Sequence, residues 1–292
     1  MEEGIKMGDK TITNLKLYAA KSRRNVLRMI QAGGCGHIGG AFSCIDIITA
    51  LYFYKMNIDP ANPKKPDRDR FLLSAGHKCM AQYGVLAERG FFDKKILDTY
   101  GKLNSKLPGH PDMHKLNGVE GNTGALGHGL SLACGMALGL RSRGSDSTVY
   151  VVMGDGELAE GSNWEAAAAA AHHNIENLVA FVDKNGLQIS GKTSDIMNFE
   201  PLDKRFEAFG WNVMEVDGND MEQIIELMDR LPLKNGKPTL VVANTVKAKG
   251  LSLGEGKVAY HYWKPSKEEL ETVIRETEEI IHHLESTVKE VS

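Results

Sequence analysis

Residues 147–186 read STVYVVMGDGELAEGSNWEAAAAAAHHNIENLVAFVDKNG, and the fold class follows from how this stretch divides. Residues 148–153 are β-branched and almost wholly apolar, the pattern of a strand covered on both faces in a parallel sheet. The run stops at Gly154-Asp155-Gly156. Ser162-Asn163-Trp164-Glu165 then has the S-x-x-E spacing of a capping box, and an alanine run of high helix propensity follows. Residues 177–182 are a second apolar strand, closing on Asp183-Lys184-Asn185. The unit is strand, helix, strand. In open α/β sheets ligands bind beyond the carboxyl ends of the strands, where Asp155 and Asn185 are both expected. Their oxygens suit a hard divalent cation such as Mg2+, which takes about six oxygen ligands and keeps phosphate oxygens among them. Gly154 and Gly156 would let a diphosphate approach the backbone with no Cβ in the way. The plainer alternative is a strand-end turn in an ordinary βαβ unit.

Working outward, residues 121–140 carry no Asp, Glu, Lys or Arg but six glycines, which predicts a buried helix behind a glycine loop and not a membrane span. Before it, residues 101–124 read as loop around Pro108-Gly109-His110-Pro111. Residues 70–74 form a short strand with Ala75-Gly76-His77 at its end, and a helix follows over 78–89. Residues 57–69 are a Pro- and Asp-rich loop, 43–56 an apolar helix and 13–31 a helix with alternating basic and apolar positions. Gly34, Gly36 and Gly39 spell G-x-G-x-x-G, with Asp59 twenty positions beyond. They follow a helix where a dinucleotide fingerprint follows a strand, so that match is refused. Downstream, residues 188–198 are a polar loop, 202–209 a short helix, 212–216 a third strand of this half and 221–231 a helix. Residues 239–245 are a fourth strand, and 246–262 a glycine-bearing loop. Residues 266–289 form an amphipathic helix opened by Ser266 and Glu269. The alternation predicts one α/β domain over 1–292: a doubly wound, mainly parallel sheet flanked by helices.

Composition narrows the function. The 292 residues suffice for a full core, and 42% hydrophobic with 25% charged residues is ordinary for a globular protein. A formal charge of −3 offers no basic footprint for nucleic acid and no polybasic membrane patch. Cys35, Cys44, Cys79 and Cys134 lie far apart with no C-x-x-C pair, so neither a disulfide framework nor a zinc cluster is indicated. The start, MEEGIKMGDK, has no signal-peptide apolar core, and a cytoplasmic, reducing setting is expected.

Asp155 followed thirty positions later by Asn185 resembles the signature of thiamine-diphosphate enzymes. GHIGG at 36–40, LSAGHKCMAQYG at 73–84, LPGHPD at 107–112, NTGALGHGL at 122–130 and GDGELAEGSNWEA at 154–166 together resemble the amino-terminal part of transketolase, in family order and spacing. The resemblance runs from about residue 15 to about residue 265. It implies the thiamine-diphosphate-binding fold and the amino-terminal, diphosphate-binding subunit of a split transketolase. By the same resemblance, Asp155, Asn185 and the carbonyl of Leu187 match the ligands of Mg2+, which Ca2+ or Mn2+ can replace. Gly124, Leu126, Gly154, Gly156 and Glu157 match positions along thiamine diphosphate. His37, His77, His110 and His261 match histidines that contact the diphosphate or the substrate's hydroxyl and carbonyl oxygens. Glu160 and Glu165 match acidic residues of the family's dimer interface. Departures are Ile38, where proline usually follows the histidine, and His128, where glutamine is commoner; both bear on loop geometry.

Thiamine diphosphate supplies the carbanion, so the protein's tasks are anchoring, orientation and proton traffic. By the same resemblance, the family's carboxylate on the aminopyrimidine ring comes from a pyrimidine-binding domain that is expected on a separate chain. The resemblance therefore implies a pyrimidine-binding partner subunit, an α2β2 heterotetramer, and sugar-phosphate substrates between which a two-carbon ketol unit moves. Alternatives are half of a 1-deoxyxylulose-5-phosphate synthase-like enzyme, a transketolase for unusual sugars, or a cofactor-binding module without catalysis. His172 and His173, at the end of a helix, suit its dipole, and His282 and His283 a solvated face. His114 and His128 stay open.

Overall fold

The computed structural model describes residues 7–290. Residues 1–6, on which the expectation of no signal peptide partly rests, lie outside this range. The elements in order are α1 (Met7–Gly33), α2 (Ile38–Ala50), β1 (Arg70–Leu73), α3 (Cys79–Arg89), α4 (Gly129–Ser142), β2 (Val149–Gly154) and α5 (Gly161–His172). Then come β3 (Leu178–Lys184), the single turn α6 (Thr193–Ile196), α7 (Leu202–Phe209), β4 (Asn212–Asp217), α8 (Met221–Asp229), β5 (Thr239–Asn244) and α9 (Lys267–Glu290). The strands form one parallel sheet in the order β1-β2-β3-β5-β4.

Successive strand residues face opposite layers, as the pleat requires. Phe71, Leu73, Tyr150, Val152, Val179 and Phe181 pack against α1, α2, α3 and α8. Leu72, Val149, Val151, Met153, Ala180 and Val182 pack against α4, α5 and α7. Both faces of β2 and β3 are therefore buried, the reason their sequences are apolar runs without alternation. The register sets Gly154 opposite Asp183 and Lys184 opposite Asn244, so the carboxyl ends of β2, β3 and β5 finish level. Helix α9 lies on α1 through Ile281, Leu17 and Ala20, with the expected reciprocal box: Ser266 N donates to Glu269 Oε2 at 2.8 Å, and Glu269 N to Ser266 Oγ at 3.1 Å.

Three local expectations change. The Ser162/Glu165 capping box does not form, because α5 starts at Gly161 with Glu160 as its N-cap, and Ser162 Oγ donates instead to the Gly127 carbonyl at 2.9 Å. The apolar helix expected over 43–56 begins at Ile38 and passes at Leu51–Lys55 into a π turn. Gly39 and Gly40 thus lie inside a helix despite their low propensity. A Cβ on Gly39 would come within 2.6 Å of the Tyr260 carbonyl, and one on Gly40 within 2.9 Å of Lys78 Cγ. Helix α4 is buried on one face only, through Leu130, Ala133, Cys134, Ala137 and Leu140. Ser131, Gly135 and Gly139 are exposed, and Leu132 keeps 43% of its surface. All four cysteines are free thiols, no group of three or more His, Cys, Asp or Glu side chains among the described residues could hold a metal ion, and no described helix is long and apolar enough to cross a membrane.

Candidate functional site

The loops beyond the carboxyl ends of β1, β2, β3 and β5 surround a cavity of about 370 Å3. Of the residues singled out from sequence, His37, His77, Gly124, Leu126, Gly154, Asp155, Gly156, Glu157, Asn185, Leu187 and His261 all line it. His110 does not. It sits exposed on the loop outside, its ring against Gly124, where a Cβ would come within 2.7 Å of His110 Cδ2. His114, His128, His172 and His173 are not among the residues that line the cavity, nor are Glu160 and Glu165. Ile38, the departure after His37, is a core residue.

Three different elements deliver the histidines. His37 precedes α2 and is held by a backbone bridge in which Gly36 and Trp263 exchange hydrogen bonds at 3.0 and 2.9 Å. His77 lies in the turn Gly76–Lys78 after β1, and His261 closes the turn Val258–His261. Their ring centroids stand 5.2 Å (His37–His77), 5.4 Å (His37–His261) and 5.4 Å (His77–His261) apart. Burial disfavours the charged form of each. It lowers His37, aided by His110 and Lys247, and pushes His77 down to about 2 with help from Lys78. It brings His261 to about 4, with Lys247 second. All three rings are therefore neutral at pH 7. Lys247 Nζ lies 3.1 Å from His261 Nδ1. An ammonium only donates, so Nδ1 accepts and the ring proton resides on Nε2.

Asp155 accepts from Gly156 N at 2.8 Å through Oδ1 and from Gly186 N at 2.6 Å through Oδ2, tying the β2 turn to the β3 turn. Burial, then the Asp183 charge, raises its carboxyl above the usual range. Asn185 Oδ1 accepts from Leu187 N at 3.2 Å, and Lys247 Nζ donates to the Leu187 carbonyl at 3.0 Å. One carboxylate, one amide oxygen and one carbonyl are hard oxygen donors of the kind Mg2+ takes, with room left for phosphate oxygens. The Lys247 ammonium beside them complements a diphosphate. The residues present thus fit a cation-bound diphosphate.

Glu157 has another task. Its buried carboxylate accepts from Gly127 N at 2.9 Å, Gly154 N at 3.1 Å and the Ser74 hydroxyl, knotting β1, β2 and the 121–129 loop behind the cavity wall. Burial raises its carboxyl although all three donors act the other way. The motif glycines that line the cavity also serve the chain itself. A Cβ on Gly154 would stand 3.3 Å from Lys78 Nζ and one on Gly156 2.8 Å from Gln188 Cγ, so both make room for this chain's own side chains.

Lys78, Asp183 and Lys247 escaped the sequence reading. Lys78 Nζ pairs with Asp183 Oδ2 at 2.6 Å, both groups buried. Desolvation, the largest influence, acts to lower Lys78, but the charge and hydrogen bond of Asp183, with Cys44 and Asp155, together hold the ammonium above its ordinary range. Burial, with Lys78 second, brings Lys247 down to about 8. Each lies at, or within a few residues of, the carboxyl end of a parallel strand. The rule that located Asp155 would have found all three.

Residues 16–276 match the family described as transketolase, thiamine diphosphate binding domain. The chain is 43% identical over 274 residues to an apulose-4-phosphate transketolase subunit from Phocaeicola vulgatus, covering 94% of this chain and 97% of that one. It is 41% identical over 265 residues to the 6-deoxy-6-sulfo-D-fructose transketolase subunit SqwG of a Clostridium species, covering 91% and 96%. Among solved structures, transketolase from Campylobacter jejuni superposes with a TM-score of 0.84 at 30% identity. That match covers 94% of this chain but 46% of the other, so the chain spans about half the length of that transketolase.

Proposed function

This chain belongs to the transketolase family as its thiamine diphosphate-binding part, and from that premise we propose that it works as the amino-terminal subunit of a two-chain, Mg2+-dependent transketolase. The observation that carries the proposal is the convergence on one cavity of Asp155, Asn185 and the Leu187 carbonyl with three neutral histidines. Bound thiamine diphosphate would supply the carbanion that accepts the two-carbon unit. Asp155, Asn185 and Leu187 would hold its cation, and Lys247 would help balance its diphosphate. His261, with its proton on Nε2, offers a donor to a ketose hydroxyl or carbonyl oxygen. His37 and His77, neutral, can each donate from one ring nitrogen and accept at the other, so they orient the sugar and pass protons without carrying charge. His110, on the outer loop, suits the part of the sugar farther from the cation.

The relatives' names favour the unusual-sugar form of this reading. One is named for a sugar phosphate and one for a sulfo-sugar, so the donor class we infer is a ketose bearing an anionic group at its far end. A pyrimidine-binding partner chain completes the site in this reading, with an α2β2 assembly. Support comes from the exposed small and apolar face of α4, and from Ile189, which lines the cavity yet keeps 72% of its surface. The test is ketol transfer by the purified chain with thiamine diphosphate, Mg2+ and ketose and aldose phosphates, with and without a pyrimidine-binding chain. Activity only on mixing is expected. Full turnover by this chain alone overturns the two-chain proposal, and no transfer from any anionic ketose by the mixture overturns the substrate class.

A further inference from the structure

Asp183, at the end of β3, has no exposed surface. Its Oδ2 accepts from Lys78 Nζ at 2.6 Å and from Ser43 Oγ at 2.6 Å, and its Oδ1 from the Thr245 hydroxyl. The side-chain nitrogen of Asn185 is aimed at the same groups, 3.4 Å from Asp183 Oδ2 and 3.4 Å from Ser43 Oγ. The amide oxygen, at the other end, takes Leu187 N. A carboxamide is nearly symmetric in shape, so only its neighbours decide which end faces which way. Ser43 lends its proton to Asp183 and to the Gly40 carbonyl at 3.1 Å, so toward Asn185 it can act only as an acceptor. Turned over, the amide would set its oxygen against a carboxylate and a hydroxyl lone pair.

We propose that Ser43 and Asp183, 140 residues apart in the chain, are positioning residues that lock the Asn185 amide with its oxygen presented to the cation, while Lys78 neutralises the charge Asp183 brings into the interior. The inference rests on the reading of the cavity as a cation–diphosphate site and goes beyond it by naming what makes Asn185 a ligand. Partners that orient a ligand are commonly worth 10–100-fold in metal affinity. A buried carboxylate without a counter-ion would be prohibitive, and that accounts for Lys78. Gly40 and Gly154 flank the path of that lysine, and a Cβ on either would crowd it.

Ser43→Ala is the decisive variant, because alanine suits the helix interior and leaves the Lys78–Asp183 pair in place. Mn2+ and Mg2+ affinities of the full chain, with saturating thiamine diphosphate, would be read by calorimetry, and metal-free stability by urea. The expected result is roughly tenfold weaker metal binding by Ser43→Ala. In an Asn185→Asp background, which sets an oxygen against Asp183 in either orientation and so leaves nothing for Ser43 to lock, Ser43→Ala should change affinity less than about twofold. Equal affinity of Ser43→Ala and the unaltered chain overturns the positioning role while leaving the cation site standing. A tenfold loss that persists in the Asn185→Asp background also overturns it, as general loosening. Failure of the unaltered chain to take up metal and thiamine diphosphate, both alone and mixed with a pyrimidine-binding chain, removes both the site and the inference.

Discussion

Glu157→Gln should cost roughly 3 kcal/mol of folding stability, although the two side chains have nearly the same shape and the carboxylate is fully engaged by the chain's own donors. Oε1 now accepts from Gly127 N and Ser74, and Oε2 from Gly154 N. A glutamine can keep its oxygen toward Gly127 and Ser74, which places its NH2 against the Gly154 N–H, donor facing donor. One hydrogen bond to a charged acceptor is lost, about 1.5–3 kcal/mol. The two retained bonds become neutral ones, which about halves them. Part of this is offset, because burial already opposes the ionised form of Glu157. The residue is 3% exposed, so water cannot replace the lost acceptor. Urea unfolding of the apo chain at pH 7.5, followed by circular dichroism, measures the loss, and proteolysis near residues 121–129 reports whether that loop comes loose. A loss below about 1 kcal/mol, with the loop still protected, would refute the account of Glu157 as the knot behind the cavity.

Other consequences are as direct. Asp155→Ala should abolish retention of thiamine diphosphate and Mg2+ in the assembled enzyme while the circular dichroism spectrum stays that of the folded chain; undiminished cofactor affinity would remove Asp155 from the ligand set. His110→Ala should lower turnover or ketose affinity with cofactor binding unchanged, as befits a ring on the outer loop, and wild-type constants for several ketose phosphates would return it to a structural role. His77, pushed down to about 2, refuses a proton that the unfolded chain takes up near pH 6.5, so acidification favours unfolding. From pH 7 to pH 5 this one group should cost about 2 kcal/mol, and His77→Asn should lose that part of the pH slope in urea titrations. Parallel slopes for the two chains would mean that the native ring takes up its proton as readily as the unfolded chain does.

The sequence by itself determined the order and type of nearly every element, because these rest on local patterns. Uninterrupted apolar runs mark strands buried on both faces, a 3.6-residue period marks helices, and Gly-Asp-Gly marks a strand end. It also placed most of the predicted residues around one cavity, since motifs at the ends of parallel strands must meet on one side of the sheet. His110 fell outside because a loop without periodicity carries no signal of which way it folds. Only the tertiary structure decided which face of α4 stays bare, that Ser162 serves Gly127 and not a capping box, and that Gly154 yields space to Lys78. The Lys78–Asp183 pair joins residues 105 apart in the chain, and the orientation of Asn185 depends on a helix hydroxyl in another layer. Periodicity fixes the direction a residue faces along its own element. The partner it meets is fixed by packing between elements, where the burial of one charge demands another beside it.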